Sequence, residues 1–260
     1  MMPRGPRLKS STGIYHIIYR GANRQEIFHD VEDFQTFLNT LRKYKWKVEL
    51  TVFGWCLMNN HVHLLLKEGD ESISVTMQRI SVSYASYYNW KYRTTGHLYE
   101  DRFKSENVED VSYLLTVIRY IHQNPLKARM VSCMEDWKWS SCLGYYDKTL
   151  YPPQLLDKEF ILRMFASDML SAKERFREFN EKNNHDQCLE AWEENRRKLS
   201  DDEAREEIKR VLGSIKIPQV KTLPKIERDQ LLRQLKGVNG LTQRQMARIF
   251  GVSPNLIFKA

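Results

Sequence analysis

Residues 59–67 read NNHVHLLLK, and the first half of the chain is arranged around them. Asn59 and Asn60, after Met58, have hairpin-turn chemistry. The run behind them is a short apolar strand carrying two histidines. Side chains alternate across a strand, so His61, His63 and Leu65 share one face and Val62, Leu64 and Leu66 the other. Two imidazoles about 7 Å apart on one face can converge on a single ion. The same pattern also suits two half-buried strand histidines that bind nothing, and the rest of the chain has to decide between them.

On the N-terminal side, GIYHIIYR (13–20) is rich in β-branched and aromatic residues and predicts a strand. It runs into a turn, 21–24, with Arg20 and Arg24 at its edges. Asp30 is a candidate N-cap for a helix to about Tyr44, with Phe34, Phe37, Leu38 and Leu41 at helical spacing. VELTVFGWCL (48–57) predicts a second strand leading through the Asn-Asn turn into the histidine strand. A helix over about 72–93 carries Ile73, Met77, Ile80, Tyr84, Tyr87 and Tyr88 near one face. A fourth strand fits 103–108. Asp110 then opens a helix to about Gln123, which should stop before Pro125.

That β-α-β-β-α-β order is the ferredoxin-like pattern of an α+β fold. It predicts an antiparallel sheet with the helices on one face and the histidine strand central. The aromatic-rich stretch 126–146 is expected to cover the sheet edge. Residues 1–150 form the catalytic domain on this reading and 151–225 a helical spacer, with apolar residues such as Phe160, Ile161, Phe176 and Phe179 at helical spacing. The two prolines of 217–225 suggest a linker. Residues 226–260 form an all-α extension with a helix-turn-helix. In it a helix over about 242–250 is followed by Gly251 and a last helix from near Ser253. Ala247, four residues before Gly251, lets two helices approach, and the glycine turns the chain. Arg244, Arg248 and Lys259 add positive charge there. A helical hairpin that packs only on its own protein would read the same way.

Composition sets outer bounds. With 260 residues, 42% hydrophobic and 28% charged, the chain can bury a core, and no apolar run approaches the roughly 18 residues of a membrane span. The basic start MMPRGPRLKSS lacks the apolar stretch of a signal peptide, which predicts a cytoplasmic protein with no membrane partner. Cys56, Cys133, Cys142 and Cys188 are scattered, unlike a disulfide or zinc framework. The net charge of +8 is uneven: residues 1–150 hold 20 basic and 16 acidic side chains, 151–210 hold 12 and 15, and 211–260 hold 9 and 2. A basic tail on a mildly basic domain points to a polyanion, most simply nucleic acid.

If His61 and His63 hold an ion, a third ligand and a nucleophile are wanted nearby. Tyr120 and Asn124 lie one turn apart on one face of the helix opened by Asp110. Asn124 can offer a carboxamide oxygen to Mg²⁺ or Mn²⁺. Such a site leaves room for a phosphodiester oxygen, polarised by the ion while Tyr120 attacks phosphorus. A phenol of pKa about 10 needs help at neutral pH. Thirteen tyrosines are present, and Tyr84, Tyr87 and Tyr88 are alternatives. Transesterification conserves bond energy and needs no ATP site; the chain has no G-x-x-x-x-G-K-[ST].

The combination YHIIYRGANRQ (15–25), MNNHVHLLL (58–66), GHLYEDRF (96–103), YIHQNPLKARMV (120–131) and WKWSS (137–141) resembles the HUH-type single-tyrosine transposases. The resemblance covers roughly residues 10–147 and is greatest to the REP-associated branch, linked to repetitive extragenic palindromes in bacteria. It implies the same ferredoxin-like fold, with His61, His63 and Asn124 binding a divalent metal and Tyr120 as nucleophile. It also implies a single-stranded hairpin DNA substrate, a 5′-phosphotyrosine intermediate and a bacterial, nucleoid-associated setting. Arg20, Arg24, Arg102 and Lys104 are then candidate DNA contacts, although solvated surface charge explains them equally. His16, His97 and His122 could lie near the site but receive no role; His122, two residues after Tyr120, should face away from it. The C-terminal segment, with Arg244 and Arg248, would take duplex DNA. Related insertion-sequence enzymes are dimers that swap the tyrosine helix, whereas the REP-associated branch is expected to work as a monomer, so monomer and homodimer both stay open. Two other classes also remain open: a DNA-binding regulator without strand transfer, and a metal-dependent hydrolase using water with Tyr120 structural.

Overall fold

The computed structural model describes residues 8–22, 25–184, 186, 188, 199, 201–238 and 240–260. Its contacts divide the chain into two units, Met1–Leu189 and Glu190–Ala260.

The first unit runs β1 (Ile14–Arg20), α1 (Val31–Lys47), β2 (Thr51–Met58), β3 (His61–Lys67), α2 (Ile73–Tyr92), β4 (Lys104–Asn107) and α3 (Val111–Lys127). The four strands form one sheet in the order β2-β3-β1-β4, with every neighbouring pair antiparallel. The histidine strand is therefore central. Its hairpin with β2 pairs Met58 with His61 across Asn59 and Asn60, and its register with β1 sets Arg20 opposite His61 and Ile18 opposite His63.

Alternation gives the sheet two apolar faces. Tyr15, Ile17, Tyr19, Val62, Leu64 and Leu66 face α1 and α2, in a core completed by Phe37, Leu38, Leu41, Met77, Ile80 and Tyr84. Ile14, Phe53, Cys56, Met58 and Leu65 face the other way, against Leu114, Val117, Ile118 and Ile121 of α3. Placing the helices on one face thus holds for α1 and α2 but not for α3. The reason is that both faces of the sheet carry apolar residues, the second through Ile14, Phe53, Cys56, Met58 and Leu65, and each face needs cover. The packing of α3 on β2 is close: a Cβ on Gly54 would come within 2.3 Å of the Ile118 Cδ1.

Helix α3 also departs from its expected end, continuing through Pro125 to Lys127. Proline removes one helical hydrogen bond, but Pro125 is buried and Ala128 N–H still donates to Asn124 O, so packing carries the last turn. Beyond it, Leu57 N–H donates to Trp139 O at 3.1 Å, Ser141 N–H to Trp55 O at 2.9 Å, and the Trp137 indole to Leu57 O at 2.9 Å. This segment covers the free edge of β2, as an exposed edge requires.

Short helices α4 (Cys142–Tyr145) and α5 (Glu159–Leu162) follow, then α6 (Met169–Glu181). Phe176 and Asn180 of α6 are fully buried, Phe176 stacking on Tyr145 and the Asn180 side chain bonding His122 of α3. Residues 159–181 are therefore part of the first unit rather than the spacer expected from 151 onward.

The second unit contains α7 (Asp201–Leu212), a 3-10 stretch (Ile217–Thr222), α8 (Lys225–Lys236), α9 (Gln243–Phe250) and α10 (Pro254–Lys259). Ile208, Leu212, Leu232, Leu235, Met246, Phe250 and Ile257 form its own core. The expected linker at 217–225 is instead folded into it through the buried Val220. Thr242 and Ser253 cap α9 and α10, and Gly251 between them is left-handed with φ 62°. No described helix is long and apolar enough to cross a membrane. All four cysteines are free thiols.

Candidate active site

The site is built where the central strands pass beneath α3. His61 and His63 project from the same face of β3, their ring centroids 5.0 Å apart at 84°. His61 is half-buried and its Nδ1 lies 2.7 Å from Asn60 Oδ1, so the turn orients the first imidazole. His63 is fully buried. Its Nδ1 lies 3.2 Å from Nε2 of His16, on the neighbouring strand, and the two rings stack at 5.5 Å.

Tyr120 comes down from α3 onto this row. Its side chain is 5% exposed, its ring centroid 5.6 Å from that of His63 and 6.0 Å from that of His16, edge-on to both. Asn124 follows one turn later, half-buried, its Nδ2 donating to the Tyr120 carbonyl at 3.1 Å. That bond uses one of the two amide hydrogens, and Oδ1, the carboxamide's acceptor, is the atom Asn124 has to offer a cation. Lys127, two turns from Tyr120, places Nζ 5.4 Å from the centre of the phenol ring. Desolvation there lowers its ammonium pKa.

The imidazoles are neutral at pH 7. Burial, then the Arg20 guanidinium, holds His61 down at about 4. Burial, followed by His61, His16 and Arg20, holds His63 well below 6.5. Burial alone holds His16 at about 3. Neutral imidazole is the form that binds a metal ion. Among the described residues no group of three or more His, Cys, Asp or Glu is arranged to hold an ion. The carboxamide of Asn124 has the chemistry of an oxygen donor.

Tyr120, His61 and His63 are thus brought together within one chain, with Asn124 a turn away. Arg20 ends β1 opposite His61, and Lys104 opens β4 opposite Ile18, which itself sits opposite His63. Arg102 is exposed and lines an open cavity of about 620 Å³ with Ala22, Val82 and His97, to which none of the four central residues contributes. Arg24 lies outside the described residues. In the second unit, Arg244 and Arg248 are exposed one turn apart on α9.

His122 does face away from Tyr120, bonding Ser141 Oγ at 2.8 Å and Asn180 Oδ1 at 3.1 Å. Lys127 is the neighbour that the sequence reading lacks, although its spacing of seven from Tyr120 is a signal for it. His16 is named there without a role, and its place against His63 needed the strand register.

Against this geometry, the sequence profile of the family described as transposase IS200 like matches residues 9–124. Residues 9–124 are thus similar to the IS200-like transposase family. The matched segment takes in His16, His61, His63 and Tyr120 and ends on Asn124. A Haemophilus influenzae protein named as a REP-associated tyrosine transposase is 25% identical over 109 residues, 37% of this chain and 61% of that protein. The chain therefore spans about three-fifths of that relative's length. The solved structure of a REP-associated tyrosine transposase bound to a REP hairpin aligns with a TM-score of 0.49 and 19% identity, over 58% of this chain and 89% of that one.

Proposed function

We propose that this protein is a metal-dependent tyrosine transposase that nicks and rejoins single-stranded hairpin DNA through a 5′-phosphotyrosine. The observation that carries the reading is the Tyr120 ring, 5.6 Å from a neutral, buried His63 that neighbours His61. The similarity of residues 9–124 to the IS200-like transposase family supports it. The sheet order, with α1 and α2 on one face, supports the ferredoxin-like reading.

His61, His63 and Asn124 would hold the divalent ion, Mg²⁺ or Mn²⁺, and when bound the ion supplies Lewis-acid polarisation of a phosphodiester oxygen. Tyr120 attacks phosphorus. The phenol gives its proton to solvent, the Tyr120 O–P bond forms, the bond from phosphorus to the 3′ oxygen breaks, and that oxygen takes a proton from solvent to leave a free 3′ hydroxyl. Attack by another 3′ hydroxyl on the phosphotyrosine reverses the exchange and rejoins a strand. The Lys127 ammonium beside the ring favours the phenolate. Arg20 and Lys104 lie on the strand ends flanking the histidines, where a DNA backbone would be neutralised; Arg24 and Arg102 complete the proposed contacts. The second unit would add a duplex contact, Gly251 and the caps at Thr242 and Ser253 framing a helix-turn-helix with Arg244 and Arg248 outside. Such chemistry belongs in the bacterial cytoplasm, at the nucleoid.

The test is incubation with labelled single-stranded hairpin DNA and Mn²⁺, read on a denaturing gel. A covalent protein–DNA adduct, absent in Tyr120→Phe, is the expected result. Cleavage without an adduct would instead make the protein a hydrolase using water, and neither product would make it a non-catalytic DNA-binding regulator.

A further inference from the structure

His16 sits one strand away from the proposed ligands, with a contact that constrains what His63 can do. On β1 it pairs with Leu65, diagonal to His63, so both imidazoles stand on the α3 face of the sheet. Diagonal cross-strand neighbours of this kind are within side-chain reach. His16 is fully buried, its Nε2 is 3.2 Å from His63 Nδ1, and its own Nδ1 is buried with no hydrogen-bond partner. Glu106, its partner across β4, is taken up by the Tyr113 hydroxyl. An apolar side chain would fill this place without leaving a buried nitrogen unsatisfied, so the contact with His63 is what the imidazole adds.

One hydrogen lies between the two nitrogens, and it can belong to either ring. If His16 donates from Nε2, the neutral His63 carries its own hydrogen on Nε2 and has no lone pair there for a cation. If His63 donates from Nδ1, its Nε2 carries the lone pair. Only the second arrangement is compatible with metal ligation by His63.

We infer that His16 is a positioning residue: its Nε2 accepts the Nδ1 hydrogen of His63 and so holds that imidazole in the tautomer that presents Nε2 to a divalent cation. The inference rests on the proposed metal role of His61 and His63. It gives β1 a part in the site, because the acceptor arrives only through β1–β3 pairing.

The test uses the full-length protein in three forms: wild type, His16→Phe and His16→Gln. Phenylalanine keeps ring volume but cannot accept a hydrogen bond, whereas glutamine retains an acceptor oxygen. Mn²⁺ affinity is measured by calorimetry alongside Tm. Loss of such an outer hydrogen bond weakens metal binding by about 10–100-fold, and that is expected for His16→Phe, with His16→Gln recovering most of it. Long-range proton–nitrogen NMR of the metal-free wild type should show His63 protonated on Nδ1. Unchanged Mn²⁺ affinity in His16→Phe, equal losses in both variants, or His63 protonated on Nε2 in the wild type would each overturn the inference. Should His16→Phe fail to fold, the wild-type tautomer and the His16→Gln affinity still decide. A wild type that binds no Mn²⁺ would remove the metal role of the whole site, an outcome distinct from failure of His16 alone.

Discussion

Tyr120 packs edge-on against the neutral rings of His63 and His16, and Lys127 places its ammonium 5.4 Å from the centre of the phenol ring. A positive charge about 5 Å from a phenol, at the edge of the protein, stabilises the phenolate by an amount worth roughly one pKa unit. Lys127→Met is accordingly expected to slow adduct formation about tenfold at neutral pH. The loss should shrink as pH is raised toward 10, which single-turnover rates across pH would show. The buried histidines set a second expectation. His16, His61 and His122 have folded pKa values of about 3, 4 and 3, below the ordinary 6.5. Between those limits the unfolded chain binds protons that the folded chain does not, so stability is full above about pH 6.5 and falls as pH drops toward 4. Each group costs up to about 1.4 kcal/mol per pH unit within its window. Tm measured from pH 8 to pH 4.5 should decline by several degrees or more, and a flat profile would contradict the neutral burial of these rings.

Helix α3 carries Tyr120, Asn124 and Lys127, and its seat on the sheet decides where all three point. The seat depends on Gly54, where a Cβ would meet Ile118 Cδ1 at 2.3 Å and Ser141 Oγ at 3.3 Å. Gly54→Val should destabilise the first unit by about 1–3 kcal/mol through overpacking. It should also reduce adduct formation beyond the unfolded fraction, because α3 is pushed off the histidine face; denaturant melts and adduct assays on one preparation separate the effects. The far side of α3 is tied down by His122, which bridges Ser141 of the edge segment and Asn180 of α6. Arg119 adds an ion pair with Asp186, Nε to Oδ2 at 2.7 Å. A chain ending at residue 150 loses Phe176 and Asn180 from this packing. It should melt non-cooperatively, whereas one ending at residue 188 keeps a sharp transition by calorimetry.

On the proposed reading, the two units meet different forms of DNA. The first holds the neutral site with Arg20 and Lys104 at its border; the second presents Arg244 and Arg248 on one exposed face of α9. Arg244→Ala with Arg248→Ala should weaken duplex binding and lower the salt slope of log K by about 2, since each phosphate contact contributes roughly 0.9. Adduct formation on a short single-stranded hairpin should be unchanged. Titrations of duplex and hairpin at several salt concentrations check both halves of that expectation.

Much of this was legible in the residues alone. Period-two alternation around His61 and His63, the Asn59-Asn60 turn, and the caps Asp30 and Asp110 are local signals, because strand pleat, turn geometry and helix termini depend on neighbours a few positions away. The i, i+4 pairing of Tyr120 with Asn124 is local in the same sense. What needed three dimensions was everything joined across the chain: α3 on the face opposite α1 and α2, its persistence through Pro125, the inclusion of α6, and His16 against His63. A helix end or a domain border yields to burial worth more than the local preference it overrides. A contact between residues 47 positions apart exists only once β1 and β3 have paired in register.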